Sequence, residues 1–436
     1  MIKGKIDVIS MGCSKNLIDS ERLLKRLEAK GYSVTHDSVK PDGEYVVVNT
    51  CGFIADAKEE SINILLELAE SKKRGEIGKI VVMGCLSQRY MDQLKDELPE
   101  IDIWYGKFDW KDFIGTLPDI SVQTPPRDWE RSLTTPPHSA FLKISEGCNR
   151  FCAFCAIPLI TGRHTSRPIE EILDETQSLV NQGVKEFNII AQDLSSYGLD
   201  LYGKHSLPEL IDRMADIQGV EWIRLHYAYP SDFPMELLDV MARRENVCKY
   251  IDIALQHIAD PVLKNMRRHI DGRQTIKLLE DMRNRVPDLK IRTTLMVGFP
   301  GETDEGFEEL LEFVKTQRFD RMGAFAYSEE DDTYAAKNLP DTIPEEVKQD
   351  RLERLMTLQE DIAMEEAEKM VGAELKLVID ELDGEIRVCR SQWDSPDVDC
   401  SYYVKDTDAM PGEFIKAVIT EAKSPFDFEA HFLSKY

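Results

Sequence analysis

The chain has 436 residues, 42% hydrophobic and 31% charged, with 80 acidic against 54 basic side chains and a net charge of -26. This length suggests about three domains at roughly 150 residues each, and the composition supplies ample material for cores. The acidic balance excludes a protein that coats nucleic acid through its overall field, though not one with a local basic patch. No apolar run approaches the roughly 18 residues of a transmembrane helix, and the first residues lack the apolar core of a signal peptide. A cytoplasmic protein with no membrane partner is therefore expected. In a reducing compartment its nine cysteines read as metal ligands or reactive thiols before disulfides.

Strand and helix signals alternate over the first 120 or so residues. Short apolar runs at 6–11, 45–48 and 79–83 are each followed by an amphipathic pattern: one through Leu17, Leu23, Leu24 and Leu27, then 57–71, then 87–98. Such alternation implies a parallel sheet. Residues 116–138, with Pro118, Pro125, Pro126, Pro136 and Pro137, read as a linker. A second α/β series follows, with strand candidates at 140–144, 187–191, 222–227, 250–255, 291–297 and 322–327. Six strands with crossover helices suggest a full or partial barrel. Residues 344–371 form a charged connecting helix, with Val347, Leu352, Leu355, Leu358 and Ile362 near one face. Beyond Gly372 come short strands and turns at Asp383-Gly384 and Pro411-Gly412, the pattern of a small all-β module. The expected fold class is α/β, in three parts: an open parallel-sheet domain over 1–122, a partial (β/α)6 barrel over 134–365, and an all-β barrel over 367–436.

The sharpest local signal is Cys148, Cys152 and Cys155, spaced Cys-x-x-x-Cys-x-x-Cys directly after the first strand of the second series. Three thiolates on one loop can hold three corners of an iron–sulfur cube and leave the fourth iron open. A structural zinc site would want a nearby fourth ligand, and the nearest histidine, His164, is well removed. On an open iron, S-adenosylmethionine can chelate through its amino and carboxylate groups, and an electron can then cleave its sulfonium to a 5′-deoxyadenosyl radical. This spacing in this context resembles the radical S-adenosylmethionine superfamily.

A second constellation is dispersed. Cys13, Cys51 and Cys85 each follow an apolar strand of the first domain and precede a helix. In an open parallel sheet the carboxyl ends of the strands share one rim, so the three can converge. A glycine stands beside each one (Gly12, Gly52, Gly84), which permits close backbone approach. Cys248, Cys389 and Cys400 lack such context and read as structural.

Over essentially its full length the chain resembles the methylthiotransferase family, which joins an N-terminal cluster domain, a radical S-adenosylmethionine core and a C-terminal TRAM barrel. The segments 11–21 (Met-Gly-Cys-Ser-Lys-Asn-Leu-Ile-Asp-Ser-Glu), 255–267 and 292–302 (Arg-Thr-Thr-Leu-Met-Val-Gly-Phe-Pro-Gly-Glu) resemble the branch that modifies a ribosomal protein. Thr161 departs from relatives that often carry a basic residue there. The resemblance implies transfer of a methylthio group to the β-carbon of an aspartate in small-subunit ribosomal protein twelve, free or in the ribosome. It implies two [4Fe–4S] clusters: one on Cys148, Cys152 and Cys155 that makes the radical, and an auxiliary one on Cys13, Cys51 and Cys85 that carries or supplies sulfur. A reductant such as flavodoxin or ferredoxin and a sulfur donor are implied as partners.

By the same resemblance Phe154 packs near the adenine of S-adenosylmethionine, Gln192 and Asp193 lie where the methionine end is contacted, and Gly298 and Gly301 form a loop near the adenine. His226 and His257 read as satisfied strand-end histidines. Two other readings compete: a methylthiotransferase acting on a tRNA adenosine, and a non-catalytic iron–sulfur or zinc protein. Residues 370–436 hold 14 acidic and 7 basic side chains, which suits a basic protein partner better than an RNA backbone. The acids within 394–399 are expected to be exposed for that contact, while a basic patch could still be built from Lys376, Arg387 and Arg390.

Overall fold

The computed structural model describes residues 2–121 and 124–436. The expected edge of the first domain, at residue 122, lies outside them. The chain divides into two compact units: Met1–Thr135 with Glu146–Cys148 and Ala156–Arg163, and Pro136–Ser145 with Asn149–Cys155 and His164–Tyr436. Among the described residues no helix is long and apolar enough to cross a membrane.

In the first unit, strands β1 (Ile2–Ser10), β2 (Ser33–His36), β3 (Gly43–Thr50), β4 (Lys79–Gly84) and β5 (Ile103–Trp104) pair in parallel in the order β2-β1-β3-β4-β5. The valine-rich runs of β3 and β4 are buried because helices cover both faces. Val47 and Val81 pack with Leu23, Leu24 and Leu27 of α1 (Ser14–Ala29). Val46, Val48, Ile80 and Val82 face the other way, onto Leu65 and Leu68 of α2 (Ala55–Lys73) and Leu86 and Leu94 of α3 (Cys85–Glu97). The chain lays β2 on one side of β1 and β3 on the other. The carboxyl ends of β1 and β3 therefore flank a switch point, where α/β sheets place their ligands.

Residues 124–135 form no strand or helix, in keeping with the prolines, yet they are not a free tether. The Arg26 guanidinium donates to the carbonyls of Arg127 and Asp128 at 3.2 and 3.0 Å. Glu21 forms a fully buried ion pair with Arg131 and accepts from the Thr134 N–H at 2.8 Å. The segment is strapped to α1.

In the second unit, β6 (Ser139–Lys143), β7 (Glu186–Ile190), β8 (Trp222–Ala228), β9 (Val247–Gln256), β10 (Lys290–Val297) and β11 (Arg321–Ala326) form a parallel sheet in sequence order. A sheet that never doubles back is the winding of a partial barrel. The helix Glu345–Lys369 buries Leu355, Ile362, Ala363 and Ala367 along one stripe. It leads into a closed barrel of β12 (Glu374–Asp383), β13 (Ile386–Ser391), β14 (Ser401–Lys405), β15 (Phe414–Ala422) and β16 (Asp427–Lys435), ordered β12-β13-β14-β16-β15. Leu377, Ile379, Tyr402, Val404, Ile415 and Phe428 fill it, with Cys389 and Cys400 among them.

This barrel packs under the amino-terminal ends of the core strands. Trp222 meets Phe414 edge-on at 4.9 Å, in a cluster with Cys248, Tyr250 and Val378. Arg390 pairs with Glu186 and with Asp380, each at 2.7 Å, and Arg224 reaches the same Glu186 at 2.9 Å. Arg321 pairs with Asp394 at 2.8 Å and Arg292 with Asp399 at 2.5 Å. The expectation of exposed acids over 394–399 is thereby corrected. The Asp394 and Asp399 side chains are buried as counter-charges of core arginines, and Asp397 alone of the three acids in that stretch is exposed. Arg390 is likewise buried, and Lys376 pairs with Glu221 at 3.0 Å, so neither offers a free cation to RNA.

Candidate functional site

The three dispersed cysteines stand on one rim. Cys13 follows β1 and opens α1, Cys51 follows β3, and Cys85 follows β4 as the first residue of α3. Glycines let the three loops interlock. A Cβ on Gly12 would lie 2.6 Å from both Cβ and Sγ of Cys51, and one on Gly52 would lie 2.6 Å from the Leu86 Cα and 3.0 Å from the Cys85 carbonyl carbon. Asn16 ties the rim together. Its Nδ2 donates to the carbonyls of Met11 at 3.1 Å and Thr50 at 2.9 Å, and its Oδ1 lies 3.6 Å from the Cys85 Sγ. The Ser61 hydroxyl clamps Cys51 by accepting from its N–H at 3.1 Å and donating to its carbonyl at 2.9 Å.

The thiols differ in electrostatic setting. Crowding around Cys13 opposes its ionisation although the residue presents area to solvent, but the Lys15 charge, the Asn16 N–H and the Lys107 charge outweigh that and lower its pKa. Burial raises the Cys51 thiol against a bond from the Phe53 N–H. Burial also pushes Cys85 up to about 12, although Lys107 opposes it. Among the described residues, no three Cys, His, Asp or Glu side chains close on one point as the ligands of a single metal ion do. An iron–sulfur cube holds its thiolates at separate corners, a demand that three cysteines on one rim can meet.

Lys107 was not legible as part of this rim. It lies just past the carboxyl end of β5, and its side chain is only 2% exposed. Its Nζ donates to Asp19 at 2.8 Å and to the Asn16 Oδ1 at 3.3 Å. Burial disfavours the ammonium, but Asp19, Glu146 and Cys85 hold its pKa well above the ordinary value.

Cys148, in the first unit, is buried, and its N–H donates to the Gly162 carbonyl at 3.2 Å. In the second unit the Cys155 N–H donates to the Cys152 carbonyl at 3.1 Å. The Cys152 Sγ accepts from the Arg268 guanidinium at 3.2 Å and lies 3.6 Å from the Tyr229 hydroxyl. Arg268 and Arg150 sandwich the Tyr229 ring at 4.1 and 4.3 Å. Burial raises the Tyr229 phenol pKa, partly offset by Arg268, so it stays protonated, and its O–H donates to the Arg268 carbonyl at 3.0 Å.

Phe154 meets Phe299 edge-on at 6.1 Å, which places it against the loop that carries Gly298 and Gly301. A Cβ on Gly298 would strike Lys348, and one on Gly301 would strike Asn265. Gln192 is half-buried past β7. Asp193 is buried, accepts from Arg150 at 2.7 Å and from the Ser195 N–H at 3.0 Å, and so caps the turn Leu194–Ser196. His226 meets Asn188 at 3.3 Å, and His257 meets Glu302 at 3.1 Å. Thr161 is buried and bonds the Ile157 carbonyl at 3.0 Å. Tyr227, near the end of β8, is exposed and holds a left-handed backbone with φ +61°, a conformation that costs a bulky residue and marks functional rims. No sequence signal pointed to it.

Residues 5–106 match an uncharacterized protein family, UPF0004, residues 142–314 the radical SAM superfamily, and residues 371–432 the TRAM domain. The ribosomal protein uS12 methylthiotransferase RimO of Bacteroides thetaiotaomicron is 55% identical over 438 residues, covering 100% of both chains. The chain belongs to the RimO family. RimO proteins of Porphyromonas gingivalis and Flavobacterium johnsoniae are 53% and 48% identical, covering 99% and 96% of both chains. As a RimO-family member the chain is a radical S-adenosylmethionine methylthiotransferase, and the family works with [4Fe–4S] clusters and S-adenosylmethionine. The radical S-adenosylmethionine methyltransferase TsrM from Kitasatospora setae shares the fold with a TM-score of 0.55 at 15% identity, over 87% of this chain and 79% of that one.

Proposed function

We propose that this RimO-family enzyme adds a methylthio group to the β-carbon of an aspartate in ribosomal protein uS12, in the cytoplasm. In this reading Cys148, Cys152 and Cys155 hold the cluster that engages S-adenosylmethionine, and Cys13, Cys51 and Cys85 hold an auxiliary cluster. The observation that carries the two-site reading is the interlocked rim, where Gly12 abuts Cys51, Gly52 abuts Cys85 and Asn16 joins all three loops. Loaded clusters would supply two things no side chain can: an electron that generates a hydrogen-abstracting radical from S-adenosylmethionine, and a sulfur that is then methylated.

The chain's own residues bind and orient. Arg268 directs a guanidinium N–H at the Cys152 sulfur, and the Tyr229 hydroxyl lies beside the same sulfur. Phe154, Phe299, Gly298 and Gly301 form an apolar, backbone-lined corner suited to the adenine, and Gln192 and Asp193 lie at the β7 end suited to the methionine group. Arg150 holds Asp193 in place. Turnover also needs an electron carrier of the flavodoxin or ferredoxin class and a sulfur source.

Two measurements test this. Incubation with uS12, S-adenosylmethionine and reductant should raise the intact mass of uS12 by one methylthio group in place of a hydrogen, at an aspartate. The same mass gain on an adenosine of tRNA, with none on uS12, would transfer the assignment to the tRNA-modifying reading. Replacing Cys148, Cys152 and Cys155 together by Ala should abolish reductive cleavage of S-adenosylmethionine and leave roughly half of the iron. Replacing Cys13, Cys51 and Cys85 should leave cleavage detectable and stop methylthio transfer, and full iron with full product there would sink the auxiliary site.

A further inference from the structure

We propose that Lys107 is a positioning residue of the auxiliary site, whose buried ammonium sets the electron affinity of a cluster held by Cys13, Cys51 and Cys85. The inference rests on the cluster reading of that triad. Strands β1, β3 and β4 each run into a cysteine, and β5, next in the sheet, runs into Lys107. The cation thus occupies the fourth place on the same rim.

The geometry is specific. One amide oxygen, Asn16 Oδ1, meets the Lys107 Nζ at 3.3 Å and the Cys85 Sγ at 3.6 Å. The backbone around Lys107 is pinned by its own N–H to the Gln88 Oε1 at 2.9 Å and by the Gly106 N–H to Asp109 at 2.9 Å. Asp19, the carboxylate bonded to Nζ, is 12% exposed against 2% for Lys107, so the carboxylate is the wetter partner and the ammonium the drier one. Burying an ammonium is unfavourable unless its charge is answered, and here two carboxylates, Asp19 and Glu146, answer it together with Cys85. A surface lysine would be screened by water and salt, whereas this one acts through protein. A cube on three thiolates is anionic, and each added electron makes it more so. A fixed cation beside it stabilises the reduced form, and the Asp19 carboxylate opposes that.

The test uses the full chain carrying Cys148→Ala, Cys152→Ala and Cys155→Ala, so that only the auxiliary site remains. Its midpoint potential is read by redox titration followed by electron paramagnetic resonance, with iron per chain measured in parallel. Adding Lys107→Met should lower the potential, Lys107→Arg should restore it towards the parent, and Asp19→Asn should raise it. A role limited to packing would move none of these with opposite signs. If the parent triple variant holds no iron, the cluster reading itself fails. If it holds iron and Lys107→Met keeps the parent potential, the inference about Lys107 is overturned. Should Lys107→Met lose its iron, Asp19→Asn decides: an unchanged or lowered potential overturns the inference, and a raised one upholds it.

Discussion

Next to Cys51 there is no room for a side chain on Gly12. An added Cβ would sit 2.6 Å from the Cys51 Cβ and Sγ, on a backbone with φ +85° that L-residues avoid. Gly12→Ala should therefore strain the loop by about 1–3 kcal/mol and displace the thiol. The expected outcome is a folded protein with depleted auxiliary iron, checked by circular dichroism and iron analysis; full iron would show that the loop yields. The cysteines and their glycines were legible in the sequence because each carries its chemistry in its own neighbourhood. Asn16 and Lys107 were not. Asn16 stands in a quoted motif, but its partners come from Met11, Thr50 and Cys85. Lys107 is one of 54 basic residues, and only the sheet order reveals what it faces.

β3 and β4 were readable because a strand buried on both faces reads as a near-continuous apolar run. The second sheet's strands were marked instead by shorter β-rich runs between helical patterns, with polar residues such as Arg224 and Arg292 among them. β2 and β5 escaped notice. β2 has four residues with no fully buried side chain, and β5 has two; both lie at sheet edges, where burial imposes no pattern. The proline-rich segment reads as a linker, and its described stretch 124–135 has no strand or helix yet is tied to α1. What ties it is a carboxylate from another element, Glu21, which belongs to the same quoted motif as Cys13 yet points away from chemistry. Glu21→Gln removes the carboxylate charge paired with the buried Arg131 and should destabilise the protein, by up to about 3–5 kcal/mol. Limited proteolysis should then cut within residues 124–135 faster than in the parent, and an unchanged cleavage rate would show that the Arg26 bonds suffice.

At the scale of the whole chain, the TRAM barrel and the radical core share a buried ionic layer. Burial alone would raise the Glu186 pKa, but Arg390 and Arg224 outweigh it and hold the carboxyl well below its ordinary value of 4.5. A depressed folded pKa contributes stability that is present above the unfolded value and is lost as pH falls through the folded one. Stability of the core–barrel unit should thus decline as pH drops below about 4.5, and Glu186→Gln should flatten that slope while destabilising at neutral pH by about 3–5 kcal/mol. Denaturant unfolding at several pH values reads both. Composition alone could count the barrel's acids but not say which way they face. Asp399→Lys would meet Arg292 and loosen the barrel, and it would not report on partner binding at all.

The two cysteine sets differ in when they can exist. Cys148, Cys152 and Cys155 leave the ribosome almost together and share a loop from the start. Cys13, Cys51 and Cys85 become neighbours only after β1, β3 and β4 have paired across long separations, which is the slow kind of contact. Lys107 arrives later still. If the two sets hold clusters as proposed, the core loop presents its three thiols without long-range pairing, whereas the rim presents its three only once β1, β3 and β4 have paired. The two sets thus differ in how much of the fold must form before their thiols can meet, a difference written into where they fall along the chain.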